Sequence, residues 1–338
     1  MSQSSTTPAK LPSNQFDHFY RGGNRIGALR HGPGGPMRPE EWIGSITTRF
    51  GEAEQGLSRL ADGTLLRDAI KADADGWLGA DHVKNFGLST EILVKLLDPD
   101  QRLPVHFHPN KKFAKQHLAL DHGKTEAWII LEAPAGSGVG LGFDQVHTKS
   151  DVQSMIKARD SRALIESLTR IEVSVGDAIL VPAGTPHAID EGIFVLELQE
   201  PTDLSVLLEW EGFDVDGEVD GHLGLGFDTV LDALDYQPLG ASRISELVTR
   251  GGLSAKATQS LFTSAADTFF RAHMITGDSS SIDAGFGILL ILEGSGEIQF
   301  ENAPTIAVKR GDAVLIPWSA GASHLVGARG VLSRPPLD

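Results

Sequence analysis

The chain has 338 residues, 41% of them hydrophobic and 22% charged, with a formal net charge of −16 and no cysteine. That length can bury one large core or two domains of ordinary size, and the lack of cysteine excludes disulfides and thiolate metal sites, leaving nitrogen and oxygen ligands for any metal. The acidic balance argues against a nucleic-acid partner, which needs a basic stripe, and against an anionic membrane surface. No apolar run is long enough to span a bilayer and no signal pattern opens the chain, so cytoplasmic residence is the expectation.

Residues 1–20 begin "MSQSSTTPAKLPSNQ", polar and rich in Ser, Thr and Pro, and read as a disordered tail. Short runs rich in β-branched and aromatic residues follow, separated by Gly, Pro, Asp or Asn: "EEWIGSITTRF", "ILVKLLD", "LPVHFHP", "TEAWIILEA", "AILVPAG", "FVLELQE" and "LSVLLEW". These are strands. Helical spacing interrupts them near 148–170, in "TKSDVQSMIKARDSRALIESLTR", as two short helices. "DTVLDALDY" at 228–236 and "ASRISELVTR" at 241–250 are further helices.

From about residue 265 strands resume with "FFRAHMITG", "GILLILEGSGEIQF" and "TIAVKRGDAVLIPW". The stretch "VSVGDAILVPAGTPHAI" is echoed by "VKRGDAVLIPWSAGASHL": Gly-Asp-Ala, an apolar run, then proline. Such a repeat predicts a mainly β chain of two related antiparallel jelly-roll barrels with helical insertions. The expected units are 21–240, a helical connector over 241–264, and 265–338.

In "LPVHFHPNKK" a strand would place His106 and His108 on one face and Phe107 on the other. Glu126, two residues after Lys124 in "GKTEAWIIL", and His187 in "VPAGTPHAI" supply further ligands from successive strands. Three histidines and a glutamate in this order match the metal-ligand pattern of cupin barrels. In "FVLELQE", Glu197 and Gln199 alternate with apolar residues and so face the barrel interior. A carboxylate there is costly unless it bonds something, which makes Glu197 a candidate base or acceptor of a sugar hydroxyl.

"LVKLLDPDQRLPVHFHPNKKFA", "GKTEAWIILEA" and "GDAILVPAGTPHAI" followed by "VLELQEPTD" resemble the type I mannose-6-phosphate isomerases of the cupin superfamily, with this chain a divergent member. The resemblance implies a metal-dependent aldose–ketose isomerase that works by enediol proton transfer on a small carbohydrate, phosphorylated or free. It implies one divalent ion held by His106, His108, Glu126 and His187. Zinc is the first choice, and His106, where the family usually has glutamine, makes iron, manganese or nickel competitive.

Lys124 would then be a proton shuttle and Glu197 its catalytic companion, while Asn110, Lys111 and Gln199 would contact substrate, although Asn110 also reads as a turn residue. Where the family carries an arginine, "EPTDLSVLLEW" places Val206, and the family's phosphate-holding residues have no counterpart beyond Lys111, Lys112 and Lys124. His273 and His324 lack companions, so the second barrel is expected to be metal-free, and His117, His122 and His147 read as solvated loop residues. A metal-cupin oxygenase and a non-catalytic sugar-binding protein are the alternatives, and the oligomeric state is open.

Overall fold

The structure is a computed structural model that describes residues 6–277 and 281–337. Three antiparallel sheets carry it. A six-stranded sheet runs in the order Val248–Thr249, Ala178–Val181, Glu126–Glu132, Phe194–Gln199, Leu93–Leu97 and Glu40–Ile43. A five-stranded sheet follows the order Val206–Leu207, His106–Phe107, His187–Ile189, Gly138–Phe143 and Leu168–Glu172. These two face one another, because side chains from both line a single cavity. The third, eight-stranded sheet is built from Ala9–Lys10 and strands between Gln259–Ser260 and Ser323–Arg334.

Alternation along the strands sets what each sheet face touches. In the strand Gly287–Phe300, Ile288 and Leu290 join a core shared with the six-stranded sheet, while Leu289 and Ile291 join a separate core within the eight-stranded sheet. The first and last parts of the chain are therefore packed together through one large apolar cluster.

The sequence repeat corresponds to a repeated turn. Before Ala178–Val181, Asp177 accepts a bond from Ser174 N at 2.9 Å, and Gly176 sits at φ +87°. Before Ala313–Ile316, Asp312 accepts from Lys309 N at 3.0 Å, and Gly311 sits at φ +89°. Both glycines occupy backbone that L-residues with a side chain rarely adopt. Each turn then exchanges backbone bonds with an equivalent residue, Ile130 or Ile291, on the neighbouring strand.

The two helices expected near 148–170 are Lys149–Ala158, with a Thr148/Asp151 capping box, and Ser161–Glu166. The expected tail needs correction. Residues 1–5 lie outside the described residues, but Ala9–Lys10 pairs with Ala313–Ile316 and Leu11 is buried. Phe16 packs edge-on against Trp42 and stacks on His18. A few apolar residues within a polar stretch were enough to dock it. The connector over 241–264 is also not purely helical: after the helix Ala241–Leu247 it adds Val248–Thr249 to the six-stranded sheet. A cluster of short helices within 66–86, absent from the sequence reading, fills the space beside the first sheet.

Arg30 ties three parts of the chain. Its guanidinium meets Glu41 at 2.8 Å, the Leu11 carbonyl at 2.9 Å and the Gly311 carbonyl, and both charged side chains are buried. Removing one partner of a buried pair leaves an uncompensated charge and costs about 3–5 kcal/mol. Arg30→Ala should lower unfolding stability by that amount in urea titrations; a loss below about 1 kcal/mol would show the pair to be incidental.

Candidate metal centre

The strands His106–Phe107 and His187–Ile189 are paired so that His106 lies directly opposite His187. His108 follows two residues on, and Glu126 opens its strand on the facing sheet. All four are buried, and the three histidines form the one group of candidate metal-ligating residues found among the described residues. His106 Nε2 is 2.9 Å from His187 Nε2, and Glu126 lies 2.9 Å from His108 Nε2 and 3.3 Å from His187 Nε2.

Each imidazole is anchored by its other nitrogen. His106 Nδ1 meets the Pro104 carbonyl at 2.8 Å, His108 Nδ1 the Leu204 carbonyl at 2.6 Å, and His187 Nδ1 the Thr185 carbonyl at 2.9 Å. A carbonyl only accepts, so Nδ1 carries the proton in every case and Nε2 is left with a lone pair. Double protonation is opposed: burial pushes His108 and His187 down to about 3, aided at His108 by Lys124, and His106 also falls well below its ordinary value through burial and then His187.

Three nitrogen lone pairs and a carboxylate thus converge, and the Lys124 ammonium reaches only His108 and Glu126 among them. Such a set fits a cation. Two unprotonated nitrogens 2.9 Å apart, His106 Nε2 and His187 Nε2, repel one another unless they share a cation. Carbonyl anchoring of the distal nitrogen is also how metal-bound histidines are usually oriented. The triad could hold a divalent metal.

Lys124 is the nearest positive charge, with Nζ 3.0 Å from His108 Nε2 and 3.1 Å from Glu126. Burial alone would raise the Glu126 pKa, but Lys124 and then His108 hold it well below the carboxylate range. Trp128 donates its indole N–H to Glu126 at 3.0 Å, fixing the carboxylate from its own strand.

Across the six-stranded sheet, strand register lines up Trp42, Lys95, Glu197 and Trp128 in one row. Lys95 is buried between Glu40 at 3.4 Å, Glu197 at 3.7 Å and Asp203 at 3.7 Å, with its ammonium 4.5 Å from the centre of a Trp42 ring. Burial would lower the Lys95 pKa, yet the three carboxylates raise it above the usual lysine range. Glu40 in turn accepts from Tyr20 at 2.7 Å and Trp42 at 2.8 Å. Burial works against its charge, but His18 and Lys95 outweigh it and depress the Glu40 pKa. Glu197 has the opposite balance: burial, then the Glu126 carboxylate, pushes it up to about 8 against the pull of Lys95 and Lys124.

These groups border a cavity of about 610 Å³ that includes His106, Lys124, Glu126, Lys95 and Glu197. The three residues expected to contact substrate are not brought to it. Asn110 caps the helix Lys111–Leu118, accepting from Phe113 N at 3.0 Å, and Lys111 is exposed as the first residue of that helix. Gln199 is fully buried and turns its amide to the Glu200 and Thr202 carbonyls.

Val206 also points away from the cavity into the second apolar cluster, and its neighbours Ser205 and Leu207 line the cavity instead. The histidines read as solvated loop residues have neighbours: His117 stacks on Phe113, His122 pairs with Glu91 at 2.9 Å, and His147 packs on Phe143. His273 and His324 lie on Arg271–Thr276 and Ser323–Arg334 of the eight-stranded sheet.

Sequence reasoning missed Lys95, Glu40, His18, Tyr20 and Asp203. A single lysine inside "ILVKLLD" was the available signal for the first of these.

No protein-family profile matches the chain. The mannose-6-phosphate isomerase ManA of Bacillus subtilis (strain 168) is 28% identical over 240 residues, spanning 70% of this chain and 72% of that protein. The mannose-6-phosphate isomerase of Streptococcus mutans serotype c is 29% identical over 245 residues, 71% of this chain and 73% of that one. The solved mannose 6-phosphate isomerase of B. subtilis aligns with 97% of this chain and 99% of its own at TM-score 0.75 and 23% identity.

Over about 70% of its length the chain is thus similar in sequence to mannose-6-phosphate isomerases, and over nearly all of it to their fold. A variant of phosphomannose isomerase from Salmonella typhimurium shares the fold at TM-score 0.72 and 16% identity, over 98% of this chain and all of that one. The paired antiparallel sheets are thus a cupin fold. No helix of its described residues is long and apolar enough to cross a membrane.

Glu197 gives a pH test. Its native carboxyl keeps a proton up to about pH 8 that an unfolded glutamate loses near 4.5, so the native state binds more protons in that window and stability falls as pH rises. Between pH 7 and 8.5 the Glu197 part of this fall amounts to about 1 kcal/mol; unfolded histidines are still about a quarter protonated at pH 7 and oppose it, so the Glu197 part is read as the difference between wild type and Glu197→Gln. Urea unfolding of chelator-treated protein should show this difference. An identical pH dependence in the variant would assign the proton elsewhere.

Proposed function

We propose that this chain is a metal-dependent aldose–ketose isomerase whose active site is the cavity around His106, His108, Glu126 and His187. The observation that carries the reading is the convergence of three unprotonated Nε2 atoms and a carboxylate beside the Lys124 amine and the Glu197 carboxyl. The relatives' names supply the reaction class. Three imidazoles and one carboxylate suit zinc first, with iron, manganese and nickel also accommodated by such ligands. A divalent ion held there would polarise the sugar carbonyl and the adjacent hydroxyl, acidifying the hydrogen on C2.

The remaining work falls to the chain's own side chains. Converting an aldose to a ketose moves the C2 proton to C1, and O1 gains a proton as O2 loses one. Lys124, against the ligand set, is assigned the transfer between the two carbons. Glu197, protonated near neutral pH, is assigned the exchange with the oxygens, and its matched acidity suits a group that must both give and take a proton. Lys95 holds Glu197 in the sheet from the adjacent strand and keeps the wall from repelling itself. Carboxylates and ammonium groups around the cavity favour a polyol over the apolar substrate that an oxygenase pocket would take.

Elemental analysis should find one divalent ion per chain in the wild type and less than a tenth of that in His108→Ala, with the fold retained by circular dichroism. Full metal content in His108→Ala would contradict the ligand assignment. Isomerisation run in D2O should place solvent deuterium on the migrating-hydrogen carbon, and Glu197→Gln should lose about 100-fold or more in kcat while keeping its metal. Absence of deuterium would point to direct hydride transfer and remove the proton-transfer roles.

A further inference from the structure

The basic residues that the sequence offered for a phosphate are not free to hold one in the cavity. Lys111 and Lys112 are exposed on the helix Lys111–Leu118, and Lys124 is committed to Glu126 and His108. Arg49 lines the cavity instead. It opens a tight turn, in which its carbonyl accepts from Glu52 N at 2.9 Å and its own N–H donates to the Gln55 carbonyl at 2.8 Å. Gly51 holds the third position of that turn at φ +83°, where a side chain is strained. The backbone of Arg49 is therefore fixed from both sides.

The guanidinium is fixed too, but by neutral groups and through one nitrogen. Nη1 donates to the Asp17 carbonyl at 3.3 Å and to Gln55 Oε1 at 3.2 Å, while the Asp17 carboxylate is taken by Arg38. Among the described residues no carboxylate pairs with Arg49, and its Nε and Nη2 bond nothing. Burial comes first in lowering the His18 pKa, Glu40 opposes it, and the Lys95 and Arg49 charges lower it further. His18 lines the same cavity, so the Arg49 charge acts on its wall.

With a divalent ion on the histidines, that ion, Lys95 and Lys124 offset the wall carboxylates Glu40, Glu126, Glu197 and Asp203, and Arg49 is positive charge in excess. Glu52, Asp214 and Asp220 stand exposed at the open end, where solvent and salt screen them. A guanidinium with a free edge matches anionic oxygens, which it takes in two parallel N–H···O bonds. A phosphate monoester brings between one and two negative charges and three strong acceptor oxygens, against the single charge of a carboxylate. The reacting carbons of a sugar belong at the ligand set, so such a group sits on the carbon at the other end of its chain.

We propose that Arg49 is a substrate-contacting residue that selects a phosphate on the terminal carbon of the sugar, gripping it through Nε and Nη2. For turnover this rests on the isomerase reading above; for binding it does not. In the first arm of the test, full-length, metal-replete protein is assayed for the ratio of kcat/KM on mannose 6-phosphate to that on mannose. Arg49→Gln is expected to lower this ratio about 30-fold or more, and Arg49→Lys, which keeps the charge without the fork, about fivefold. Lys111→Gln is expected to leave it within about twofold. An equal loss on both sugars in Arg49→Gln makes Arg49 structural and overturns the proposal, as does a ratio that falls in Lys111→Gln instead. A higher kcat/KM on mannuronate than on mannose 6-phosphate puts a carboxylate in place of the phosphate and also overturns it.

The second arm compares mannitol 1-phosphate with mannitol by calorimetry, which needs no turnover. The wild type is expected to prefer the phosphate about tenfold or more, and Arg49→Gln to lose that preference with its circular dichroism unchanged. That result without turnover of any sugar removes the isomerase reading and leaves the Arg49 assignment standing. Turnover together with a phosphate preference that survives Arg49→Gln does the reverse.

Discussion

Lone pairs repel, and the interior of this protein brings four sets of them to one point. His106, His108 and His187 have turned their protons outward onto the carbonyls of Pro104, Leu204 and Thr185, so that the rings present only acceptors beside Glu126, with the Lys124 ammonium against His108 and Glu126. Burial opposes protonating the rings. A cation resolves the conflict, which makes the site a consequence of backbone geometry as much as of side-chain identity. The pairing of His106 with His187 across two short strands sets the nitrogens side by side, and the facing sheet delivers the carboxylate.

The rest of the cavity repeats that balance on a larger scale. The row of Trp42, Lys95, Glu197 and Trp128 puts a buried ammonium between carboxylates and seats both against indole rings. Each indole also donates to the carboxylate two residues before it, Trp42 to Glu40 and Trp128 to Glu126. Glu40 can stay charged because Tyr20, Trp42 and Lys95 compensate it, whereas Glu197 lies near Glu126 and is driven toward its protonated form. One sheet thus holds two carboxyl groups in opposite states, which is how a single cavity comes to offer both an acceptor and a proton donor.

Much of this was legible in the sequence where a short period governs. His106 and His108, Lys124 and Glu126, and the position of Glu197 follow from the two-residue repeat of a strand, and the Gly-Asp-Ala repeat foretold the twin turns at Gly176 and Gly311. Proximity in sequence misled where the chain turns. Lys111 is one residue past Asn110, but the helix that Asn110 caps carries it out to solvent. Gln199 sits in register with Glu126, but its amide is captured by the local backbone. Val206 was one residue out of phase, and a shift of one exchanges the two faces of a strand. Lys95 and the docked segment from Ala9 to Tyr20 were hidden because their partners come from distant parts of the chain.

X-ray absorption at the zinc edge of reconstituted protein addresses the central claim without relying on activity. Nitrogen and oxygen neighbours at about 2.0–2.2 Å are expected, with more distant scattering that requires three imidazoles. Zinc that binds with fewer than two imidazoles, or that fails to bind the folded chain, would contradict it.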